Sequence, residues 1–404
     1  MIHKGGARRL KVVMAGRSDS FVPYLEAALA ERVDVVGHVD AELSQVQRLV
    51  TALVTFRPSR RAWVERFFKS QLAISFRSAN ARRALARVDA PFDVIFQAHA
   101  LFELRDPRVV LYVDCTHHQS AEQWPDWNPL RGNALERWYS RERRQYQGAS
   151  HVFTFSHETR DVLVDDYAVD PDKVTVVGAG LNFDHVPDPP LRPRQGAGSP
   201  TVLFVGNDFV RKGGERLLEA FRLVRQDVPD ARLRIVGTPH PIAPQPGVEV
   251  IGRVESRDEM ASLYAGADVF CLPSTFEPYG FVLLEAMAYQ LPCVATTSCG
   301  IPEIIVDGVT GIMVPREQPA ATQDTPTGTE VRTEQGGEVS VSALAAALTD
   351  LLTDPERATR MGSAGRARVL DSLQWTDTVS RMSPVLATLT GVAEAVPEEL
   401  RTDD

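Results

Sequence analysis

The chain has 404 residues, a formal net charge of −9, and 44% hydrophobic against 24% charged residues, the balance of a folded protein too long for one ordinary hydrophobic core, so two domains are the simplest division. No run approaches the roughly 18 consecutive apolar residues that a membrane-spanning helix requires. The acidic balance excludes a general nucleic-acid binder, which needs a basic face for phosphates.

Met1-Ile2-His3-Lys4 leads toward a strand-like run without an apolar stretch and small-residue cleavage site, which predicts a cytoplasmic chain. Short β-branched runs then alternate with helical patterns, the signature of βαβ units and parallel sheets. Strands are expected at 10–16, 33–39, 92–96, 109–114, 151–155 and 174–177, with a helix at 21–30 after the first. Residues 186–200 are rich in Pro and Gly and form the expected linker. The alternation restarts with strands at 201–206, 232–236, 248–251, 269–272 and 293–296 and a helix at 214–228. Residues 316–340 are too poor in apolar side chains to offset their ordering entropy and are expected to be a mobile surface insertion. Helices at 341–352 and 357–370 and an amphipathic stretch at 372–389 precede an acidic tail. Cys115, Cys271, Cys293 and Cys299 show neither C-x-x-C spacing nor zinc-finger His partners and are expected to be reduced and mostly buried.

Between residues 44 and 88 the charges are Arg48, Arg57, Arg60, Arg61, Arg66, Lys69, Arg77, Arg82, Arg83 and Arg87 against the single Glu65. The stretch from Phe56 to Lys69 also carries Trp63, Phe67 and Phe68 at helix-like spacing. Such a segment either lies on an anionic membrane surface or packs its aromatic residues inward and leaves its cations solvated.

The run Ser274-Thr275-Phe276-Glu277-Pro278-Tyr279-Gly280-Phe281-Val282-Leu283-Leu284-Glu285 places a turn after a buried strand and opens a helix near Phe281. The backbone N–H groups of Gly280, Phe281, Val282 and Leu283 would then face the strand's carboxyl end as an anion site, and ligands of open α/β sheets sit at that end. Glu277 on the loop and Glu285 eight positions further on in the helix would serve different parts of an extended, hydroxyl-bearing ligand. Downstream stand Pro292, Val294, Ala295, Thr296, Gly300, Pro302, Glu303, Ile304, Ile305, Asp307, Gly308, Thr310 and Gly311.

Together these residues resemble the donor-site block of the family 4 retaining glycosyltransferases: Glu-x7-Glu, then a P-x-V-A-T strand and a G-x-P-E-I-I-x-D-G-x-T-G loop. The run from Phe204 to Phe221, with Arg211-Lys212-Gly213-Gly214, is similar to the family's phosphate-binding segment, and the likeness covers nearly all of 201–315. The resemblance implies that Glu277 contacts sugar hydroxyls, Glu285 the ribose hydroxyls, and Lys212 with the amides of Val282 and Leu283 the diphosphate. Asn207 stands where the family commonly has Arg, so Arg211 is the expected second cation. The base is expected near Gly237 and Val254, read through backbone groups.

In the N-terminal half, Asp114-Cys115-Thr116-His117-His118 looks like the family's sugar-facing His segment, with His118 in that role; Trp124, Trp127 and Trp138 would wall the acceptor. Gly16 stands alone where many relatives have a Gly pair, so Ser18 and Ser20 are expected to take over the approach to phosphate. A G-x-G-x-x-G run for a nicotinamide cofactor is missing after that strand.

The fold implied is α/β, GT-B: two Rossmann-like domains with parallel sheets facing across a cleft. The expected N-terminal acceptor domain is 1–185 and the sugar-nucleotide-binding domain 201–371, with 372–404 crossing back as a helix before the tail. The activity implied is retaining transfer from a UDP-, GDP- or similar sugar nucleotide to a glycan, lipid-linked or small-molecule acceptor, with Glu277, His118 and Lys212 in the reaction and neither cofactor nor metal. A GT-B sugar-nucleotide epimerase, a phosphorylase and a non-catalytic nucleotide-binding relative share this architecture.

Overall fold

The β-branched runs pair side by side as two separate six-stranded sheets, parallel throughout. The computed structural model describes residues 8–16, 19–128, 130–188, 198–317 and 337–392. The first unit holds the residues up to Ala121, Pro125–Gly180 and the residues from Trp375 onward; the second holds Glu122–Trp124 and Leu181–Gln374.

In the first unit β1 (Lys11–Gly16), β2 (Asp34–Asp40), β3 (Val94–Ala98), β4 (Val109–Val113), β5 (His151–Thr154) and β6 (Val174–Val176) lie in the order β2-β1-β3-β4-β5-β6. The chain reverses its winding between β1 and β3, and such a switch point leaves a crevice at the strands' carboxyl ends. The helices are α1 (Val22–Ala30), α2 (Gln45–Thr55), α3 (Arg60–Phe68), α4 (Gln71–Leu85), α5 (His117–Gln123), α6 (Asn133–Gly148) and α7 (His157–Asp165). Val13, Ile95, Leu111, Val152 and Leu163 belong to its core and are almost wholly buried. β3 begins at Val94 rather than at 92 because Asp93 anchors the strand's entry: its backbone N–H donates to the Lys11 carbonyl and its carboxylate accepts from the Lys11 N–H, both at 2.9 Å.

The second unit orders β7 (Thr201–Val205), β8 (Arg232–Val236), β9 (Val248–Ile251), β10 (Val269–Leu272), β11 (Cys293–Thr296) and β12 (Gly311–Val314) as β12-β11-β10-β7-β8-β9. This is the doubly wound dinucleotide-fold order, with its switch point between β7 and β10. Around it stand α8 (Gly214–Asp227), α9 (Arg257–Ala265), α10 (Phe281–Ala288), α11 (Ile301–Ile304), α12 (Val341–Thr353) and α13 (Pro355–Ser372). The short strands β13 (Arg316–Glu317) and β14 (Glu338–Val339) pair antiparallel at the ends of the expected insertion; 318–336 lie outside the described residues, as do 189–197 of the expected linker and the acidic tail from 393. The chain enters the second unit at Leu181, ahead of the Pro-rich stretch, and leaves it after Gln374. Both crossings are tied down there, since the Leu181 N–H donates to the Leu373 carbonyl at 3.0 Å.

The last helix, α14 (Trp375–Thr390), belongs to the first unit and packs on α1. Trp375 stacks on Phe21 with centroids 5.8 Å apart, and Arg381 donates to the Val177 carbonyl at 2.8 Å. No helix among the described residues is long and apolar enough to cross a membrane. The four cysteines form no disulfide; Cys115 is partly exposed and the other three are buried.

Candidate active site

The switch point of the second sheet brings the loops after β7 and β10 together, and each carries a charged residue singled out in the sequence. Lys212 Nζ lies 3.0 Å from Glu277 Oε2. The aliphatic stem of Lys212 lies across Gly206, where an added Cβ would come within 2.3 Å of Lys212 Cδ; Gly at that position gives the lysine its path. Gly213 then turns the chain with φ +74°, and its Cβ would fall 1.9 Å from the Pro273 carbonyl oxygen. The two loops are therefore packed backbone to backbone, which fixes Lys212 against Glu277.

Glu277 also accepts from Arg211 Nη1 at 3.4 Å and from Ser274 Oγ at 3.4 Å. Burial pushes its carboxyl upward, but Lys212 and Arg211 outweigh burial and hold it below the usual range, so it is ionised. Arg211 is thus engaged with Glu277 and, at 3.9 Å, with Asp208, and its guanidinium lies 5.0 Å over the ring of Trp124. Asn207 is exposed.

Glu285 projects from the second turn of α10 and accepts from Tyr264 Oη at 2.7 Å. Burial raises its carboxyl, opposed by Tyr264 and by the charge of Lys212. Lys212, Glu277 and Glu285 therefore form one electrostatic group. Tyr264, whose ring stacks on Tyr289 at 5.3 Å, was not singled out in the sequence; only its pairing with Glu285 marks it.

The expected anion site at the start of α10 needs one correction. The Leu283 N–H donates to the Gly280 carbonyl at 2.8 Å, because the helix opens with a tight i→i−3 turn after Gly280 at φ +103°, so that amide is occupied. Gly280, Phe281 and Val282 hold the positions whose amides an α-helix leaves without an intrahelical acceptor. Gly237, at the carboxyl end of β8, has φ +90° and lies against Gly206, where its Cβ would come within 3.4 Å of the Gly206 oxygen; its N–H donates to Gly252 O at 3.0 Å. Val254 is half-buried and Arg253 exposed.

The first unit has its own crevice at its switch point, a cavity of about 340 Å³ whose walls include Asp19, His99, Asp114, His117, Trp127 and Trp138. His99 follows β3 with φ +60° and faces two carboxylates, Asp114 Oδ1 at 3.1 Å from Nδ1 and Asp19 Oδ2 at 3.2 Å from Nε2. Burial alone would favour the neutral ring, but Asp114 and then Asp19 overcome it and push the imidazole up to about 10, so it donates to both as a cation. His99 escaped the sequence reading, although its place just past a β-strand is the signal that would have found it.

A raised folded-state value means that this stabilisation is whole below the unfolded value of about 6.5 and is lost as pH rises through the folded value. The melting-temperature gap between the wild type and His99→Gln is accordingly expected to be widest near pH 6 and to close toward pH 10. A gap independent of pH would mean an uncharged ring.

His117, rather than His118, lines this cavity. Its ring lies 4.7 Å from that of Trp138, and burial, followed by the nearby Lys69, lowers it to about 3, so it is neutral. His118 turns to Asp166, with Nδ1 3.5 Å from Oδ2, and packs beside Tyr139. Consecutive residues of a helix point about 100° apart, so one His at the start of α5 faces the cavity and the next cannot. The three tryptophans separate likewise: Trp127 and Trp138 line the cavity, whereas Trp124 belongs to the second unit and lies 6.5 Å from Phe276. Ser20 is exposed with its N–H on its neighbour Asp19, and Ser18 lies outside the described residues. Among the described residues no group of three or more His, Cys, Asp or Glu is arranged to hold a metal ion.

Two Rossmann-like units, each on a parallel six-stranded sheet, with a Lys–Glu pair at the second switch point, define the GT-B class of α/β proteins. The solved structures agree. Sucrose-phosphate synthase from Thermosynechococcus elongatus matches with a TM-score of 0.65 at 19% identity, over 95% of this chain and 100% of that one. WaaG, a glycosyltransferase involved in lipopolysaccharide biosynthesis, matches with a TM-score of 0.60 at 16% identity, over 94% and 100%; both are likenesses of fold. Residues 20–185 match the model described as Glycosyltransferase Family 4, and 199–325 that of Glycosyl transferases group 1. The chain belongs to this family, the group 1 glycosyl transferases of family 4.

Among its relatives is the GDP-mannose-dependent alpha-(1-6)-phosphatidylinositol monomannoside mannosyltransferase of Mycolicibacterium smegmatis, 35% identical over 52% of this chain and 54% of that one. Alpha-maltose-1-phosphate synthase of the same organism is 30% identical over 58% and 62%. The chain spans about half the length of the curated relatives it matches.

Proposed function

We propose that the protein is a retaining glycosyltransferase that takes a nucleoside-diphosphate sugar into its second unit and an acceptor with hydroxyl groups into its first. The observation that carries the reading is the Lys212–Glu277 pair, 3.0 Å apart at the switch point, with the charge of Lys212 also reaching Glu285. In this reading the bond between the sugar's anomeric carbon and the β-phosphate oxygen breaks. The acceptor oxygen bonds that carbon on the same face, and its proton passes to the departing diphosphate. Lys212 and the first-turn amides of α10 stabilise the charge that builds on the leaving oxygens, an effect strongest where water is excluded. Glu277 holds sugar hydroxyls with Arg211 beside it, Glu285 holds the ribose, and the base lies by Gly237 and Val254.

The Trp127 and Trp138 rings and the Asp19, Asp114 and His99 side chains suit an acceptor of the carbohydrate or cyclitol type, which offers an apolar ring face and a rim of hydroxyls. His117 lines this cavity.

The test is nucleotide release from a panel of UDP- and GDP-sugars, with and without added acceptors, together with mass detection of the products. Glu285→Gln keeps the side chain's shape and its bond from Tyr264 but loses the charge that strengthens bonds to ribose, and is expected to weaken donor binding by about 10- to 100-fold. Turnover of a single sugar nucleotide to its epimer would instead favour an epimerase, and the absence of any nucleotide binding would remove the donor site altogether.

A further inference from the structure

The basic segment 44–88 is not used by this reading, and the structure rearranges the expectation for it. The aromatic residues of α3 turn inward: Trp63 Nε1 donates to the Ala52 carbonyl at 3.0 Å, and Phe67 and Phe68 are half-buried. The apolar surface lies instead on α2. Val46, Leu49, Val50, Leu53 and Val54 are 71%, 61%, 39%, 70% and 68% exposed, and Phe56 just past the helix is 57% exposed. Their spacing of three and four residues puts the five helical positions on one face.

The buried face of the same helix is polar, with Thr51 and Thr55 almost wholly covered and Thr55 Oγ1 bonded to the Thr51 carbonyl at 2.7 Å. Gln47 ties the helix to Asn80 at 3.1 Å. A helix on a water-exposed surface normally carries the opposite arrangement, and contiguous apolar patches of this kind mark interaction sites. The orientation is fixed by a capping box, in which the Ser44 side chain accepts from the Gln47 N–H and the Gln47 side chain from the Ser44 N–H.

We infer that α2 is a membrane-docking helix that lies in the plane of an anionic lipid surface. Charge selects this occupant. Arg57 and Arg60 are exposed at the carboxyl end of the stripe, in a segment with ten cations, of which Lys69 and Arg77 are buried, and one acid, inside a chain of net charge −9. Anionic headgroups neutralise these cations while the apolar side chains enter the acyl boundary. The helix spans about 16 Å along the surface at 1.5 Å per residue.

The test is flotation of the full chain with vesicles of phosphatidylcholine alone and of phosphatidylcholine with about a third phosphatidylglycerol. The protein is expected to float with the anionic vesicles only, and less so in about 1 M salt, which shortens the screening length to about 3 Å. Leu49→Ser combined with Leu53→Ser changes only exposed positions; this double variant is expected to keep its melting temperature and to lose about tenfold or more in binding. Arg57→Glu with Arg60→Glu is expected to do the same. Failure of the wild type to float, or undiminished flotation of the Leu49→Ser, Leu53→Ser variant, would overturn the inference. A dimer seen by light scattering without lipid and abolished by that variant would overturn it in favour of a second copy. The apparatus for donor turnover is untouched by these substitutions, so the outcome does not depend on the proposed transfer activity.

Discussion

Replacing Lys212 by alanine is expected to lower the rate of the proposed sugar transfer by about 10²–10³-fold, the range typical of removing one preorganised stabiliser of a developing oxyanion. The lysine is buried, its ammonium is held 3.0 Å from Glu277, and its stem has a channel over Gly206. Arg211 beside it is directed to Glu277 and Asp208 and rests on Trp124. Loss of the ammonium also leaves the buried Glu277 with Arg211 and Ser274 as its donors, so some stability is lost too, and the rate must be measured on protein shown to be folded by its melting curve. Lys212→Arg is not expected to rescue, because the planar guanidinium is bulkier than the ammonium and the path over Gly206 is already filled by the lysine stem. A rate within about threefold of wild type in Lys212→Ala would remove electrostatic stabilisation by this group from the mechanism.

The largest effect on stability is expected from Gly213→Ala. The residue has φ +74°, and its new methyl group would lie 1.9 Å from the Pro273 carbonyl oxygen, a backbone atom that cannot swing aside. Left-handed strain of about 1–2 kcal/mol adds to an overpacking cost of about 1–3 kcal/mol. For a unit of this size, a loss of about 3 kcal/mol lowers the melting temperature by about 6–12 °C. Gly252→Ala is the control, since nothing lies within 4 Å of its would-be Cβ, and it is expected to melt like the wild type. Equal melting of the two variants would show that the β7 and β10 loops are not packed as described.

Much of the candidate site is legible in the sequence because its parts are local. A lysine before a Gly-Gly helix start, or two glutamates eight positions apart across a loop and a helix, are patterns contained within a few turns of chain, and the strands around them announce themselves by β-branched runs. β12 escaped because it is four residues long, with glycine at one end and only two of the four buried. The partners of the site escaped for a different reason. Tyr264 meets Glu285 across 21 positions, and His99 meets Asp19 across 80, and nothing in either local stretch encodes the other.

The sequence by itself determined the α/β class, through the alternation of β-branched runs with helical patterns, and, through its resemblance to the family, the block from Ser274 to Gly311 and the choice of Lys212, Glu277 and Glu285. Tertiary structure alone decided what those groups face. The 3.0 Å contact between Lys212 and Glu277 exists because β7 and β10 are neighbours at the switch point. Which of His117 and His118 lines the cavity of the first unit is a matter of helix phase, set by how α5 is docked. The apolar stripe of α2 can be counted from its residues, but a period of 3.6 fixes only which side chains share a face, and the packing of α2 on α3 and α4 turns that face outward.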